Sequence, residues 1–396
     1  MLTLDKIYDA AGALSGTVRK TPIYPAQKIA DNLYTKMENL QFTGSFKIRG
    51  GFNKIRLLTK EERMRGVIAC SAGNHAQGIA YSATQLGIRS IICMPKGAPI
   101  SKVEATKGYG AEVVLVPGSY DDAAAEAQRL SESEGYTFAH PFDDEYVMAG
   151  QGTIGLEILE QLQDVSQIVC PVGGGGLISG IALAVKSLRP SCRVIGVQAE
   201  RISPMARSLE EGCIVTVPDA QTIADGIHVL RPGDHTFDIV RQYVDDIVTV
   251  TEDEIAAAIL SLIEAQKTVA EGAGATPVAA CMLGKVDLSR GKTVCVVSGG
   301  NVDVTTLSRI ITRGLTKSGR IVEITTLIPD RPGMLVEVLS TIAETGANVL
   351  TINHSREAQH YEVNSCVVSM ILETRDEVHI WQILHALQEK GYETNV

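Results

Sequence analysis

The chain has 396 residues, of which 45% are hydrophobic and 21% charged, and its formal net charge is −10 at pH 7. That length gives room for two or three domains, and the acidic balance excludes nucleic acid and anionic lipid as main partners. No apolar run reaches membrane-spanning length, and the N-terminus lacks the charged-then-apolar pattern of a signal peptide, so a cytoplasmic protein is expected.

In chain order, the first stretch that invites chemistry is 43–51, which reads Thr-Gly-Ser-Phe-Lys-Ile-Arg-Gly-Gly. Lys47 stands between Phe46 and Ile48 among small residues, a poor setting for a solvated charge. Partial burial lowers a lysine's pKa and frees its amine for Schiff-base chemistry. The alternative is an ordinary loop lysine.

From about residue 60 to 310, short apolar runs alternate with helical patterns. Strands are expected at 66–70, 90–94, 112–116, 137–139, 167–172, 193–197 and 293–297. Helices are expected at 76–86, 101–107, 120–134, 152–163, 177–188 and 252–267. Continuous apolar strands between helices indicate parallel sheet covered on both faces. The expectation is an α/β doubly wound region over 1–312 in two lobes, the smaller at roughly 50–150. A polar, glycine-containing stretch at 313–320 reads as a linker. Beyond it, 321–396 reads as strand 321–328, helix 332–344, strands 348–354 and 362–373, helix 377–388 and strand 392–396. That βαββαβ order is ferredoxin-like.

Three strand-to-helix junctions carry polar chemistry. Gly173, Gly174, Gly175 and Gly176, followed by Leu177, let backbone approach an anion at a helix N-terminus, which makes a phosphate cradle. The spacing is neither a dinucleotide fingerprint nor a P-loop; the alternative is a tight turn. Ser298, in Val-Ser-Gly-Gly-Asn, stands where a strand ends and could meet a neutral ring nitrogen or cap a helix. Ser71, Ala72, Gly73, Asn74 and His75 follow a third strand, where amide N–H groups and short polar side chains could hold a carboxylate. His75 is a candidate proton carrier, although a first-turn histidine is also a common structural residue. An activatable lysine, a separate phosphate loop, a polar strand end and a carboxylate loop together describe pyridoxal 5'-phosphate acting on a small amino acid.

The motifs 45–50, 71–77, 173–177 and 298–301 resemble, in the right order, those of the fold-type II pyridoxal-phosphate enzymes, in the branch of threonine ammonia-lyases and serine racemases or dehydratases. The unit after 320, with Asp330, Pro332, Gly333, Met334 and Leu335 at its first turn, is similar to ACT domains. The resemblance implies that Lys47 is the Schiff-base lysine and carries the Cα proton. It implies that Phe46 packs on the ring, Asn74 bonds the phenolic oxygen, the glycine loop holds phosphate and Ser298 contacts the ring nitrogen. Ser71, Ala72, Gly73 and His75 would line the substrate carboxylate, with Glu271 a further pocket residue.

The implied reaction is elimination of water from L-threonine, and more weakly L-serine, giving 2-oxobutanoate or pyruvate and ammonia. An amino-acid effector, isoleucine or valine first, would bind at 330–335 of a homo-oligomer, dimeric or tetrameric. Racemases of this branch carry a serine where Ala72 stands, so racemisation is not expected. Their divalent-cation site would pair Glu200 with position 206, here Ala206, so no required metal is expected. The alternatives are a serine racemase or dehydratase and, from another class, a non-catalytic amino-acid sensor. The eight cysteines show no Cys-x-x-Cys spacing and are expected as reduced core thiols rather than zinc ligands or disulfides.

Overall fold

Strands Val67–Cys70, Gln167–Pro171 and Thr293–Val297 are buried at every position, and runs of that kind need cover on both faces. The computed structural model describes residues 1–356 and 364–396 and divides the chain into two units, Met1–Asp303 and Val304–Val396. The first unit has the expected two-lobed α/β architecture. Its six-stranded sheet runs Ile23–Pro25, Leu33–Met37, Thr293–Val297, Gln167–Pro171, Arg193–Ala199, Asp246–Val250. Every pairing is parallel except that of the edge strand Ile23–Pro25. The smaller, four-stranded parallel sheet runs Glu112–Val116, Ser90–Pro95, Val67–Cys70, Thr137–Phe138.

Several elements were not legible from apolar pattern. Helix Lys47–Arg56 contains Gly50 and Gly51, residues that weaken a helix by about 1 kcal/mol each relative to alanine. Tertiary packing overrides that cost. A Cβ on Gly51 would lie 3.2 Å from the Gly78 carbonyl oxygen, and one on Gly78 would lie 3.0 Å from the Lys47 backbone. Helix Gly272–Met282 is similarly rich in small residues and holds Pro277. Strand Asp246–Val250 is only partly buried at the sheet edge, so its pattern is weak.

Behind Lys47 the helix carries Arg49, whose side chain is fully buried. Its guanidinium donates to both Glu38 oxygens at 2.8 Å and to Glu157 at 2.6 and 2.9 Å. The buried Lys36 ammonium also reaches Glu157 and donates to the Thr21 carbonyl at 2.7 Å. Burial opposes the charge on Arg49, but Glu38 and Glu157 outweigh it and raise the pKa. Burial likewise opposes ionisation of Glu38, yet Arg49 holds its carboxyl below the usual range. Two cations and two carboxylates therefore neutralise one another, with only Glu157 partly exposed.

The second unit is the expected ferredoxin-like sandwich. Its antiparallel sheet runs Asn348–Ser355, Ser365–Glu373, Ile321–Pro329, Thr394–Asn395, with helices Met334–Glu344 and Glu377–Glu389. Ile321–Pro329 alternates buried and exposed positions, as one-sided sheet requires. The strand expected at 362–373 begins at Ser365; its first two positions lie outside the described residues. Helix Val304–Lys317, burying Ile310 and Gly314, runs through the first five positions of the stretch expected as a linker.

Replacing Arg49 with methionine leaves buried carboxylates short of a cation and should destabilise the first unit by about 3–5 kcal/mol. A lowered urea midpoint for that unit checks this, and a change below about 1 kcal/mol would mean that the network contributes little.

Candidate active site

Gln167–Pro171 and Thr293–Val297 are paired in parallel with Val169 opposite Cys295. Their carboxyl ends thus leave the sheet side by side, the place where ligands of open parallel sheets gather. A cleft opens there, and Gly173 to Leu177 and Ser298 line it together with Phe46, Lys47, Asn74 and Glu271.

The segment before Lys47 is stitched to the Ser298 turn. Phe46 N–H donates to the Ser298 carbonyl at 3.0 Å and Gly300 N–H to the Gly44 carbonyl at 2.9 Å. The Asn301 amide donates to the Thr43 carbonyl at 2.7 Å. Lys47 is half-buried, and its Nζ donates to the Pro141 carbonyl at 3.0 Å. Burial pushes its pKa down to about 8, against the opposing attraction of Glu271. Glu271, at the start of helix Gly272–Met282, is buried, which raises its pKa to about 7; Asp225 adds to this and Asn74 acts against it. The Asn74 amide donates to both Glu271 oxygens at 2.7 and 2.9 Å, and its own oxygen accepts from Asn301 at 2.8 Å.

Gly175 has φ +99°, a conformation glycine adopts without penalty. A Cβ on Gly174 or Gly176 would collide with Phe142. Thr236 Oγ1 donates to the Gly174 carbonyl at 2.6 Å, tying the loop down from behind. The first turn of helix Gly176–Leu188 leaves amide donors without intrahelical partners.

The sequence reading missed 140–144. His140 Nδ1 accepts from Asp143 N–H at 2.8 Å, and its ring meets Phe142 edge-on at 4.7 Å. The Asp143 carboxylate accepts from the backbone N–H groups of Asp234, His235 and Thr236, each at 3.1 Å. Asp144 caps helix Glu145–Gln161 and binds Lys54 at 2.6 Å. This segment therefore holds Lys47 through Pro141 and backs the glycine loop through Phe142. The available signal was an aspartate pair ahead of a helix.

Ser71, Ala72 and Gly73 form the half-buried turn between Val67–Cys70 and Asn74–Gln85, with Ser71 Oγ accepting from Gly73 N–H at 3.2 Å. They adjoin the cleft lining, which takes Asn74 from this turn. The His75 ring is buried and its Nε2 donates to the Ala139 carbonyl at 2.8 Å. Burial, then the Lys47 charge, lower its pKa to about 3, so the ring is neutral near pH 7. All eight cysteines are free thiols and seven are buried. Among the described residues no helix is long and apolar enough to cross a membrane.

An amine titrating at about 8, a glycine cradle that side chains would fill, and a buried hydroxyl at the neighbouring strand end fit pyridoxal phosphate. Residues 14–300 match the family described as pyridoxal-phosphate dependent enzyme, and 322–389 match the ACT domain. The chain belongs to the pyridoxal-phosphate-dependent enzyme family. Within it, the chain is 50% identical to an L-threonine ammonia-lyase of Thermotoga maritima over the whole of both chains. It is also 50% identical to a catabolic L-threonine dehydratase of Escherichia coli K12, over 78% of this chain and 96% of that one. Among solved structures, a processed threonine deaminase isoform 2 from Solanum lycopersicum is 36% identical with TM-score 0.74, covering 78% of this chain and 93% of that one. Maize serine racemase is 35% identical with TM-score 0.75, over 80% and 98%.

In cofactor-free protein, reductive labelling of Lys47 by a small aldehyde should rise with pH through a midpoint of about 8, because only the free amine reacts. Glu271→Gln removes an attraction that favours the ammonium, so the midpoint should move down. Peptide mass spectrometry reads both, and an unmoved midpoint would deny the coupling.

Proposed function

We propose that the protein is a threonine ammonia-lyase: it eliminates water from L-threonine, and more weakly from L-serine, to give a 2-oxo acid and ammonia. The observation that carries this is Lys47, an amine titrating about 8 in the cleft shared with the glycine loop and Ser298. The full-length likeness to an L-threonine ammonia-lyase supports the substrate.

Pyridoxal phosphate, when bound, supplies an electron sink for the carbanion at the substrate Cα. The chain's own residues do the rest. The amides of 173–177 bind the phosphate at a helix N-terminus. Phe46 would pack beside the ring, and Asn74, oriented by Glu271 and Asn301, would turn one amide N–H from Glu271 to the cofactor. Ser298, buried at the end of strand Thr293–Val297, would offer the ring nitrogen a neutral hydroxyl rather than a carboxylate. The start of helix Asn74–Gln85, with Ser71, Ala72, Gly73 and His75, orients the substrate carboxylate by its N–H groups and dipole. Lys47 Nζ, free of its proton in a useful fraction near pH 7.5, takes the Cα proton and holds it on one face.

A second reading, serine racemase, is motivated by the maize likeness. Ala72 disfavours it, since a methyl group cannot deliver a proton to the opposite face. The ACT unit supports regulation by a small amino acid at Asp330, Pro332, Gly333, Met334 and Leu335, where Gly333 at φ +96° opens helix Met334–Glu344. We further take the protein to be a cytoplasmic homo-oligomer.

Lys47→Ala should lower turnover of L-threonine by at least about 10²-fold and abolish the visible absorbance of bound cofactor; persistence of both would sink the proposal. L-Serine should react about 10–200-fold less efficiently for want of one methyl contact, and without substantial D-serine on chiral analysis. Isoleucine or valine should shift the activity by about 5–150-fold. Steady-state kinetics unchanged by either, with no calorimetric binding, would leave the ACT unit structural.

A further inference from the structure

The second unit carries a group of side chains that the elimination chemistry does not use. Asp330 directly follows strand Ile321–Pro329, His354 lies near the end of Asn348–Ser355, and Cys366 near the start of Ser365–Glu373. Their meeting is a consequence of register. Cys366 pairs with Ile328, one residue pair from the Asp330 turn, and His354 pairs with Val368. Residues two apart share a sheet face, so His354 is the diagonal neighbour of Cys366 on the face that Cys366 shares with Val368. One ligand atom from each of Asp330, His354 and Cys366 lies within 4.8 Å of the other two. His354 Nε2 is 2.9 Å from Cys366 Sγ.

A tetrahedral zinc ion, with bonds of about 2.3 Å to sulfur and 2.0–2.1 Å to nitrogen, needs those two atoms about 3.5 Å apart. The pair, now 2.9 Å apart, needs to open by about 0.6 Å. Thiolate, imidazole and carboxylate form a borderline donor set, which favours zinc over magnesium or calcium. Cys366 is buried while Asp330 and His354 are exposed. The ion would thus be held against the sheet with its fourth position open to water. Arg356 now binds Asp330 through both carboxylate oxygens, at 2.6 and 3.0 Å. One oxygen can turn to the metal while the other stays with the guanidinium, an outer contact of the kind that orients ligating carboxylates.

We propose that Asp330, His354 and Cys366 form a binding site for a borderline divalent cation of the Zn²⁺ type. On binding, the Cys366 S–H bond breaks, its proton passes to water, and the sulfur pair forms the bond to the metal. The His354 ring gives its Nε2 lone pair, and no electron transfer occurs. The low cysteine count of any one segment hid the site in the sequence, because its ligands come from two strands and the turn after a third rather than one Cys-x-x-Cys run.

The test uses the full-length protein and reads metal rather than turnover, so it stands apart from the activity proposed above. After equilibration with Zn²⁺ and desalting, about one ion per chain should remain, and Co²⁺ should give a thiolate-to-cobalt charge-transfer band. Cys366→Ser should abolish the band. His354→Gln, at an exposed position that does not threaten folding, should weaken Zn²⁺ binding by at least about tenfold. No retained zinc, a cobalt spectrum without the thiolate band, or unchanged binding in both variants would overturn the site.

Discussion

The buried ion network around Arg49 is the constraint on which the active-site geometry depends. Arg49 lies two positions beyond Lys47 on the same helix, with Glu38, in the turn after a sheet strand, on one side and Glu157, on helix Glu145–Gln161, on the other. A guanidinium with both carboxylates in bidentate or near-bidentate contact has few ways to shift or rotate. The first turn of the helix is therefore fixed relative to both neighbours, and Lys47 with it. Apolar residues of the same volume could supply equal or greater stability. They would not impose the same directional restraint on the helix that carries Lys47.

Glycines complete what the charges begin. Gly50, Gly51, Gly78 and Gly150 allow the Lys47 helix to lie so close to its neighbours that side chains would meet backbone. The result is close packing behind the cleft, which Lys47 lines with its Nζ drawn toward Pro141. The segment 140–144 then links three things that are remote in sequence. One carbonyl restrains the lysine, one ring backs the glycine loop, and one carboxylate satisfies the start of helix Asp234–Tyr243. The glycine loop and the Lys47 amine are thereby referred to one short piece of backbone.

Electrostatics in the cleft follow from burial more than from pairing. Lys47 and Glu271 are both pushed toward neutrality by desolvation, one down to about 8 and the other up to about 7. Each partly offsets the shift of the other. Asn74 gains from this balance, since a carboxylate at Glu271 fixes its amide by accepting two hydrogen bonds. His75, by contrast, is neutral because its ring is buried and committed to a backbone carbonyl, which the sequence position alone left open between proton carrier and structural residue.

The sequence by itself determined the alternation of buried strands and helices, the glycine loop after Val172, the serine after Val297 and the βαββαβ order of the second unit. Each is a local pattern: period, turn chemistry and strand hydrophobicity act within a few residues. Lys47 could be singled out, yet its helix could not, because Gly50 and Gly51 argue against a helix until the facing helices are in place. Only the tertiary structure decided which side chains meet. It brought Arg49 to Glu38 and Glu157, Asn74 to Glu271, and His140–Asp144 to the lysine and the loop, and by antiparallel register it placed Asp330, His354 and Cys366 together. Those contacts join positions far apart along the chain, and their energies depend on exclusion of water, which no local stretch of sequence can report.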